Sequence, residues 1–231
     1  MSVDKLVDST QLDADLTSVA NAIRTKGGTS ASLAFPAGFV SAIQAIPTGG
    51  GDVDYSKILQ GTETVIDAPE ATSIRGNALR GYATSATLNA PKVTTISGAA
   101  FYGATGFSVL VFPKLTTGPA QDAIRNCTSL TALDVLRGAF GVTSCSGCSA
   151  LNTLIIRSTG TLATLSNINA FNSTPFASGG SGGTLYVPSA LISSYQSATN
   201  WSTILGYTNN SIEAIEGSIY ETQYADGTAI E

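Results

Sequence analysis

The segment from residue 86 to residue 107 reads ATLNAPKVTTISGAAFYGATGF, and it repeats the pattern of TVIDAPEATSIRGNALRGYATS, which runs from residue 64 to residue 85. Corresponding residues are one repeat apart, as Pro69 and Pro91 are. A third segment from Ser108 continues the pattern with Pro113 and is slightly longer before Ala123. A fixed period of this length indicates stacked structural repeats, because each unit buries its apolar face only against its neighbours.

Further units follow this segment. Cys127 and Cys148 begin two similar stretches at nearly the same spacing, and Thr184 to Pro188 closes the series. Each unit contains a short alternating stretch, such as Val65 to Ala68, that predicts one strand. Successive units therefore predict one parallel sheet in a mainly β fold.

Residues 1–48 have a different pattern. Apolar residues at helical spacing, with glycines or a proline at the ends, predict one helix over 9–27 and a second that ends before Pro47. A pair this small has little core of its own, so we expect it to cap the repeats or to dock on a partner. Its predicted docking face consists of Leu16, Val19, Phe39 and Ile43.

The chain thus divides into four predicted parts. Residues 1–48 form the helical docking or capping module, and 49–63 form a Gly-rich linker and entry. Residues 64–205 form the repeat domain with a terminal cap, and 206–231 form an acidic C-terminal segment.

The core P-x-(V/L)-T-x-I-x-x-x-A-F-x-G at Pro91 to Gly103, with the C-x-x-L turns at Cys127 and Cys148, resembles the BspA-like subclass of leucine-rich repeats. The stretch from Tyr186 to Ser202 is similar to a terminal unit of that subclass. The resemblance implies a leucine-rich-repeat-like solenoid with one parallel sheet, preceded by a small N-terminal two-helix module.

The stretch LTSVANAIRTKGGTSASLAFPAGFVSAIQAI, residues 16–46, is similar to a module of tail-associated proteins of phages and prophages of Gram-positive hosts. This resemblance implies a phage tail protein of the virion, synthesised in the host cytoplasm. Its expected partners are other virion proteins, a host cell-surface glycan or protein, or a second copy of the chain. Two alternatives stay open: a purely structural virion component, such as a decoration protein or baseplate spacer, and an adhesin on the bacterial surface.

Composition disfavours most enzyme classes. The chain has no His, which removes Ser-His-Asp and Cys-His catalysis and imidazole metal ligands. Cys145 and Cys148 have C-x-x-C spacing, but with Cys127 they supply only three of the four ligands of a structural zinc site. We interpret Cys127 and Cys148 as buried residues at equivalent repeat positions. We therefore expect no enzyme activity, no metal and no cofactor.

The acidic residues do not form an obvious catalytic pair. Asp122 and Asp134 are the only acids between Ala71 and Ile212, and their separation of about half a repeat predicts different faces of the fold. The Gly179–Gly183 tract lacks the Lys-Ser/Thr of a phosphate loop.

The charge pattern bears on partners. The net charge is −5 and the basic residues are scattered, which disfavours nucleic acid. The N-terminus has acids and no apolar run, so we expect no signal peptide, and no stretch is apolar for long enough to insert into a membrane. An odd number of cysteines favours a reducing compartment.

The remaining candidate is a neutral binding surface. The segment from Ser166 to Gly183 interrupts the repeat, and long irregular loops are often functional. Its amides and aromatic rings can contact a glycan or a protein. The predicted partner-binding residues are Asn167, Asn169, Phe171, Asn172 and Phe176.

Overall fold

The structure is a computed structural model that describes residues 62–223 together with Thr17, Ala20 and Asn21. The chain divides into two compact units, 1–50 and 51–231. In the first unit, Thr17 and Ala20 are helical, in agreement with the helix predicted over 9–27. The predicted docking residues Leu16, Val19, Phe39 and Ile43 lie outside the described residues, and their role stays a prediction.

The second unit is mostly sheet with few helices, and all of its described strand pairs are parallel. Its described strands are β1 (Val65–Asp67), β2 (Ser73–Ile74), β3 (Thr87–Asn89), β4 (Thr95–Ile96), β5 (Val109–Phe112), β6 (Ala132–Val135), β7 (Ala139–Phe140), β8 (Thr153–Ile156), β9 (Thr164–Leu165), β10 (Thr184–Val187) and β11 (Ser211–Ala214). A five-stranded parallel sheet has the order β5-β6-β8-β10-β11. The pairs β1-β3, β2-β4 and β7-β9 form three smaller sheets.

The strand register follows the sequence repeat. Val65 pairs with Thr87 and Ile74 pairs with Ile96, and in both cases the partners are one repeat apart. Ala132 pairs with Thr153, as the spacing of the two cysteine units predicts. In the later strand pairs the paired residues are further apart in the sequence, because the stretches before β10 and β11 are longer. Equivalent positions of neighbouring repeats are therefore hydrogen-bonded neighbours.

The repeated prolines begin equivalent turns after three strands. The N–H groups of Ala71, Val93 and Leu115 donate to the carbonyls of Ala68, Ala90 and Phe112. Pro69, Pro91 and Pro113 thus each occupy the second position of a four-residue turn, where the fixed backbone φ of proline is favourable. Equivalent prolines of the sequence repeat therefore occupy equivalent turns in the structure.

The side chains of the five-stranded sheet alternate between two clusters. Leu110, Leu133, Leu154 and Leu185 point into the main core, which also contains most of the buried aromatic residues. A smaller cluster on the other face consists of Val111, Ile155 and Ile215, with Tyr186 and Tyr220 packed against it. Both faces of this sheet are therefore covered around its centre, which explains why β5, β6 and β8 are nearly continuous apolar runs.

The end of the described chain extends the sheet. After β10, a short 3-10 helix (Ser189–Leu191), α1 (Ile192–Ser197) and α2 (Trp201–Leu205) contribute Tyr195, Trp201 and Ile204 to the core. β11 then pairs with β10, and a last 3-10 helix covers Ile219–Glu221. β11 lies within the predicted C-terminal segment 206–231, so the sheet continues beyond residue 205 to Ala214.

No helix among the described residues is long and apolar enough to cross a membrane.

Candidate interaction surface

Five loops stack along one edge of the repeat unit, and we call this surface the loop edge. Backbone hydrogen bonds join each loop to the next. In the first three loops, the N–H groups of Leu79, Phe101 and Ile124 donate to carbonyls of the following loop over 2.7–2.8 Å. Cys145 donates in the same way to Ala170 over 2.9 Å. A second set of such bonds lies two positions further along each loop. The loop edge consists of residues 77–81, 99–103, 122–126, 143–147 and 169–173.

The loops share an unusual backbone conformation. Asn77, Ala99, Asp122 and Thr143 all have φ between 57° and 63°. Four positions later, Gly81, Gly103, Asn126, Gly147 and, in the fifth loop, Ser173 are also left-handed. This conformation favours Gly, Asn and Asp, which explains why small and polar residues fill most of these positions. Between the two left-handed positions the chain buries apolar side chains such as Phe101 and Ile124, and the residue just before the second position, Arg80, Tyr102 or Arg125, remains at the surface.

Tyr102 lies between two arginines on the loop edge. The guanidinium carbons of Arg80 and Arg125 are 4.5 and 5.8 Å from the centroid of its ring. Arg80 also donates to Asn77 Oδ1 over 3.2 Å, and Asn126 Nδ2 donates to the Tyr102 hydroxyl over 3.4 Å. Because the face of an aromatic ring attracts a cation, these contacts hold the group in a defined arrangement.

Asp122 links the third loop to the fourth. Its carboxylate accepts from the Thr143 hydroxyl over 2.6 Å and from Arg125 Nη1 over 3.2 Å. The Thr143 bond, and then the bond and charge of Arg125, lower the pKa of Asp122 against the opposing effect of burial. Asp122 is therefore ionised at neutral pH and fixed within the surface by neighbouring side chains.

The predicted asparagines of the insertion lie in the fifth loop or just before it. Asn167 Oδ1 accepts from the N–H of Asn169 over 2.9 Å and caps a 3-10 helix that covers Ile168–Phe171. Asn172 Nδ2 donates to Asn169 Oδ1 over 3.2 Å. Asn169 and Asn172 are exposed and Asn167 is half-buried. The structure therefore places the amides of Asn169 and Asn172 on the same edge as Tyr102, with Asn167 two residues before the fifth loop.

The prediction for the two phenylalanines of the insertion is wrong. Phe171 and Phe176 are each only 1% exposed, so they do not offer ring faces to a partner. Their centroids are 5.5 Å apart, and Phe171 also packs against Phe140 and Trp201 at 5.6 and 6.0 Å. The transfer of apolar rings out of water favours this burial despite the irregular sequence around them. The insertion is part of the core on one side and surface on the other.

The sequence carries a signal that identifies the fifth loop. Ala170-Phe171 corresponds to Ala100-Phe101, and both phenylalanines are buried. The carbonyls of Ala100 and Ala170 both accept from the preceding loop. The repeat therefore continues through this segment, which looks irregular because its unit is longer than the earlier ones.

The cysteines are core residues, as predicted for Cys127 and Cys148. The Cys127 thiol donates to the Phe101 carbonyl over 3.0 Å, and the Cys148 thiol donates to the Ile124 carbonyl over 2.9 Å. All three thiols are free and buried. Burial, and then the charge of Cys148, raise the pKa of Cys145 well above its usual value. Since the thiolate is the nucleophile and the metal ligand, such thiols are unreactive.

The second acidic candidate, Asp134, lies on β6 and is fully buried. Arg157 donates from Nε and Nη2 to its carboxylate over 2.6–2.9 Å. Burial raises the pKa of Asp134 to about 7 against the opposing bonds and charge of Arg157. Asp122 and Asp134 each have their own partners, on a loop and on a strand. Among the described residues, no group of three or more Cys, Asp or Glu side chains could hold a metal ion.

A small pocket lies beside the insertion. Its volume is about 150 Å³, and its lining comes from two segments: Ala177, Gly179 and Gly180, and Tyr207 to Asn210. Sequence reasoning identified the first segment as part of a binding loop but missed the second, which lies in the predicted C-terminal part.

No protein-family model, no curated protein and no solved structure matches this chain.

Proposed function

We propose that the protein is a non-enzymatic binding protein, built as a leucine-rich-repeat-like solenoid of the BspA-like kind. Support comes from parallel strands that pair one repeat apart, from equivalent proline turns and from equivalent loop bonds. In such an architecture each repeat is stabilised by its neighbours, and the loops form an extended surface for partners. The fold supplies a rigid scaffold and its side chains supply the recognition.

The recognition surface is the loop edge. The observation that carries this proposal is that charged, aromatic and amide side chains of the first four loops, from Asn77 to Thr143, are linked by hydrogen bonds and ring contacts. The amides of Asn169 and Asn172 extend the same strip in the fifth loop, which backbone hydrogen bonds join to the fourth. Surface side chains that are already ordered lose little conformational entropy when they bind. Tyr, Arg and Asn are also residue types that recur in binding surfaces.

The biological setting that we propose is a phage virion. The N-terminal stretch 16–46 resembles modules of tail-associated proteins, so the first unit would attach the chain to a neighbouring tail protein. The repeat unit would then face the host envelope. The alternatives are a purely structural virion component, which would not bind a host receptor, and a bacterial adhesin, which would lie on the cell surface.

The test measures attachment of the purified full-length chain to Gram-positive cells and to their isolated cell walls. We expect attachment of the native protein and at least about a tenfold loss in a variant that combines Arg80→Ala, Tyr102→Ala and Asn172→Ala. The matched control is Lys92→Ala, which removes an exposed salt bridge to Glu70 outside the loop edge. Far-UV circular dichroism of each variant verifies that the fold is kept.

Two further results bear on the alternatives. Detection of the chain in purified phage particles supports the virion setting, and its presence only on intact bacteria supports an adhesin. A folded native protein that is present in particles but attaches to no cell, wall or tail protein would overturn recognition in favour of the structural role.

A further inference from the structure

The pocket beside the insertion has walls that are held in place by side-chain amides. Asn210 Nδ2 donates to the carbonyls of Phe176 and Ile204 over 2.9 and 2.8 Å, and its Oδ1 accepts from the N–H of Gly183 over 2.8 Å. Asn209 Nδ2 donates to the Gly180 carbonyl over 3.2 Å. Two segments that are distant in sequence are thereby joined into one wall. The pocket is formed before any ligand arrives.

Glycines allow this close approach. A Cβ atom at Gly180 would overlap the backbone of Thr174 and Pro175, and one at Gly183 would overlap the Phe176 ring. Gly182, with φ of 102°, would meet Asn209. The Gly179–Gly183 tract therefore serves to bring the insertion against the segment before β11.

The chemistry of the lining is polar and uncharged. Its residues are Ala177, Gly179, Gly180, Tyr207, Thr208, Asn209 and Asn210. Chain positions 158–212 contain no Asp, Glu, Lys or Arg, so the pocket offers no formal charge of its own to a phosphate or carboxylate. What it offers is mostly polar: a hydroxyl, an amide and backbone groups, with a small apolar area and the half-buried Tyr207 beside them. These groups match a sugar ring, which has apolar C–H faces and hydroxyls that both donate and accept.

We propose that this pocket binds one neutral monosaccharide unit of a glycan. The inference rests on the proposed recognition function, for which it names a ligand class and a second contact beside the loop edge. The volume of about 150 Å³ is well below that of pockets for drug-sized ligands and suits a single ring. Because the lining is uncharged, binding is insensitive to salt.

The test titrates the isotope-labelled full-length protein with five neutral sugars: glucose, galactose, rhamnose, N-acetylglucosamine and N-acetylgalactosamine. We expect at least one to shift the amide NMR signals of residues 177–180 and 207–210 with a Kd in the range of about 1 to 10 mM. The affinity should be the same at about 50 and about 500 mM salt. Glucuronic acid and glycerol 3-phosphate serve as the anionic comparison and should bind no better.

Tyr207→Ala and Thr208→Ala test the lining, and Ser149→Ala, at an exposed position elsewhere, is the matched control. We expect at least about a tenfold weaker affinity for Tyr207→Ala, a smaller loss for Thr208→Ala and no change for the control. Since Tyr207 packs partly against the core, Tyr207→Phe provides a folded variant that keeps the ring. Retention of most of the affinity in Tyr207→Phe supports a role for the ring face.

The inference is overturned if none of the five sugars shifts these amides at about 50 mM, if the shifts lie elsewhere, or if the anionic probes bind more tightly. Attachment to cells separates this outcome from failure of the proposed function. Native attachment that Tyr207→Ala leaves unchanged removes the pocket and keeps the recognition function. Sugar binding in the pocket by a protein that attaches to no cell or wall removes the recognition function alone.

Discussion

Arg157, directly after β8, holds the buried carboxylate of Asp134 on the neighbouring strand β6 and also donates to two backbone carbonyls near the end of the described chain. Those carbonyls belong to Tyr220 and Gln223, at 2.9 and 2.7 Å. One guanidinium therefore joins two strands to the segment that covers the outer face of the sheet. Since Asp134 is fully buried, its carboxyl group has no alternative hydrogen-bond partner in water.

Arg157→Leu should destabilise the protein by about 3 to 5 kcal/mol, because it leaves Asp134 buried without its ion-pair partner. The double variant Asp134→Leu with Arg157→Leu should recover a large part of that loss, since replacement of both members of a buried pair is often nearly neutral. Urea unfolding of the three proteins measures the effect. Equal stability of the single and double variants would contradict the role of Arg157 as the ion-pair partner of Asp134.

The same variants should loosen residues 219–223, where the carbonyls of Tyr220 and Gln223 then lack the guanidinium donor. Hydrogen exchange followed by mass spectrometry should show faster exchange at the 3-10 helix Ile219–Glu221, while β5 to β8 keep their protection. Lys92→Ala, which removes an exposed salt bridge, should change neither measurement by much.

The left-handed loop positions predict opposite effects of glycine and alanine. Ala99 has φ of 57°, so Ala99→Gly should stabilise the protein by about 1 kcal/mol. Gly103 has φ of 70°, so Gly103→Ala should destabilise it by about 1 to 2 kcal/mol, although beyond the adjacent residues no atom lies within 4 Å of the new methyl group.

Gly160→Ala is the control for these substitutions, because its surroundings are also open and its φ is not in the left-handed range. It should be neutral or slightly stabilising, since alanine restricts the unfolded chain. Thermal unfolding of the three variants provides the comparison. A loss at Gly160 equal to that at Gly103 would show that backbone conformation does not decide the effect.

The cysteine cluster predicts a loss of stability in alkaline solution. Burial, and then the neighbouring Cys148, raise the pKa of Cys145. A hydrogen bond between the thiols of Cys127 and Cys148, and then burial, raise the pKa of Cys127. The unfolded chain releases these protons at about pH 8.5 and the folded chain keeps them, so this stabilisation is present below that pH and declines above it. Each such thiol contributes a slope of about 1.4 kcal/mol per pH unit.

Urea unfolding under a reductant at about pH 7, 9, 10 and 11 measures this dependence. Cys127→Ala should have a smaller slope than the native protein, with a lower stability at pH 7 from the lost packing. Burial also raises the pKa of Tyr195, so Tyr195→Phe should reduce only the additional decline above pH 10. An unchanged slope in Cys127→Ala would contradict the raised pKa of that thiol.

Much of the fold could be predicted from the repeat, because a strand register is fixed once equivalent residues are known. Ile74 and Ile96 pair as their spacing predicts, and Cys127 and Cys148 occupy equivalent buried positions. The acidic character of 206–231 did not predict that the sheet continues into this segment as β11. The pattern that indicates this strand is the alternation of Ile212 and Ala214 with polar residues, which is typical of a strand at the edge of a sheet.

The candidate site was only partly predictable, for a physical reason visible at Phe171. An aromatic residue in a long polar segment is equally compatible with a binding face and with a core contact, and only the neighbours decide. Phe140 and Trp201 are those neighbours, and they come from distant positions in the chain. The amides of Asn169 and Asn172, by contrast, have no apolar surface to bury and stay on the edge.

The insertion therefore predicts two different outcomes for adjacent residues. Phe171→Ala should cost about 3 to 5 kcal/mol, because it opens a cavity between Phe140, Phe176 and Trp201. Asn172→Ala should change the free energy of unfolding by less than about 0.5 kcal/mol, since its side chain is exposed. Replacement of the whole stretch 166–183 by a short linker should then unfold the neighbouring repeat, because it removes Phe171 and Phe176 together. Near-UV circular dichroism and urea unfolding test all three variants, and a stable, natively packed deletion variant would show that the insertion lies outside the core after all.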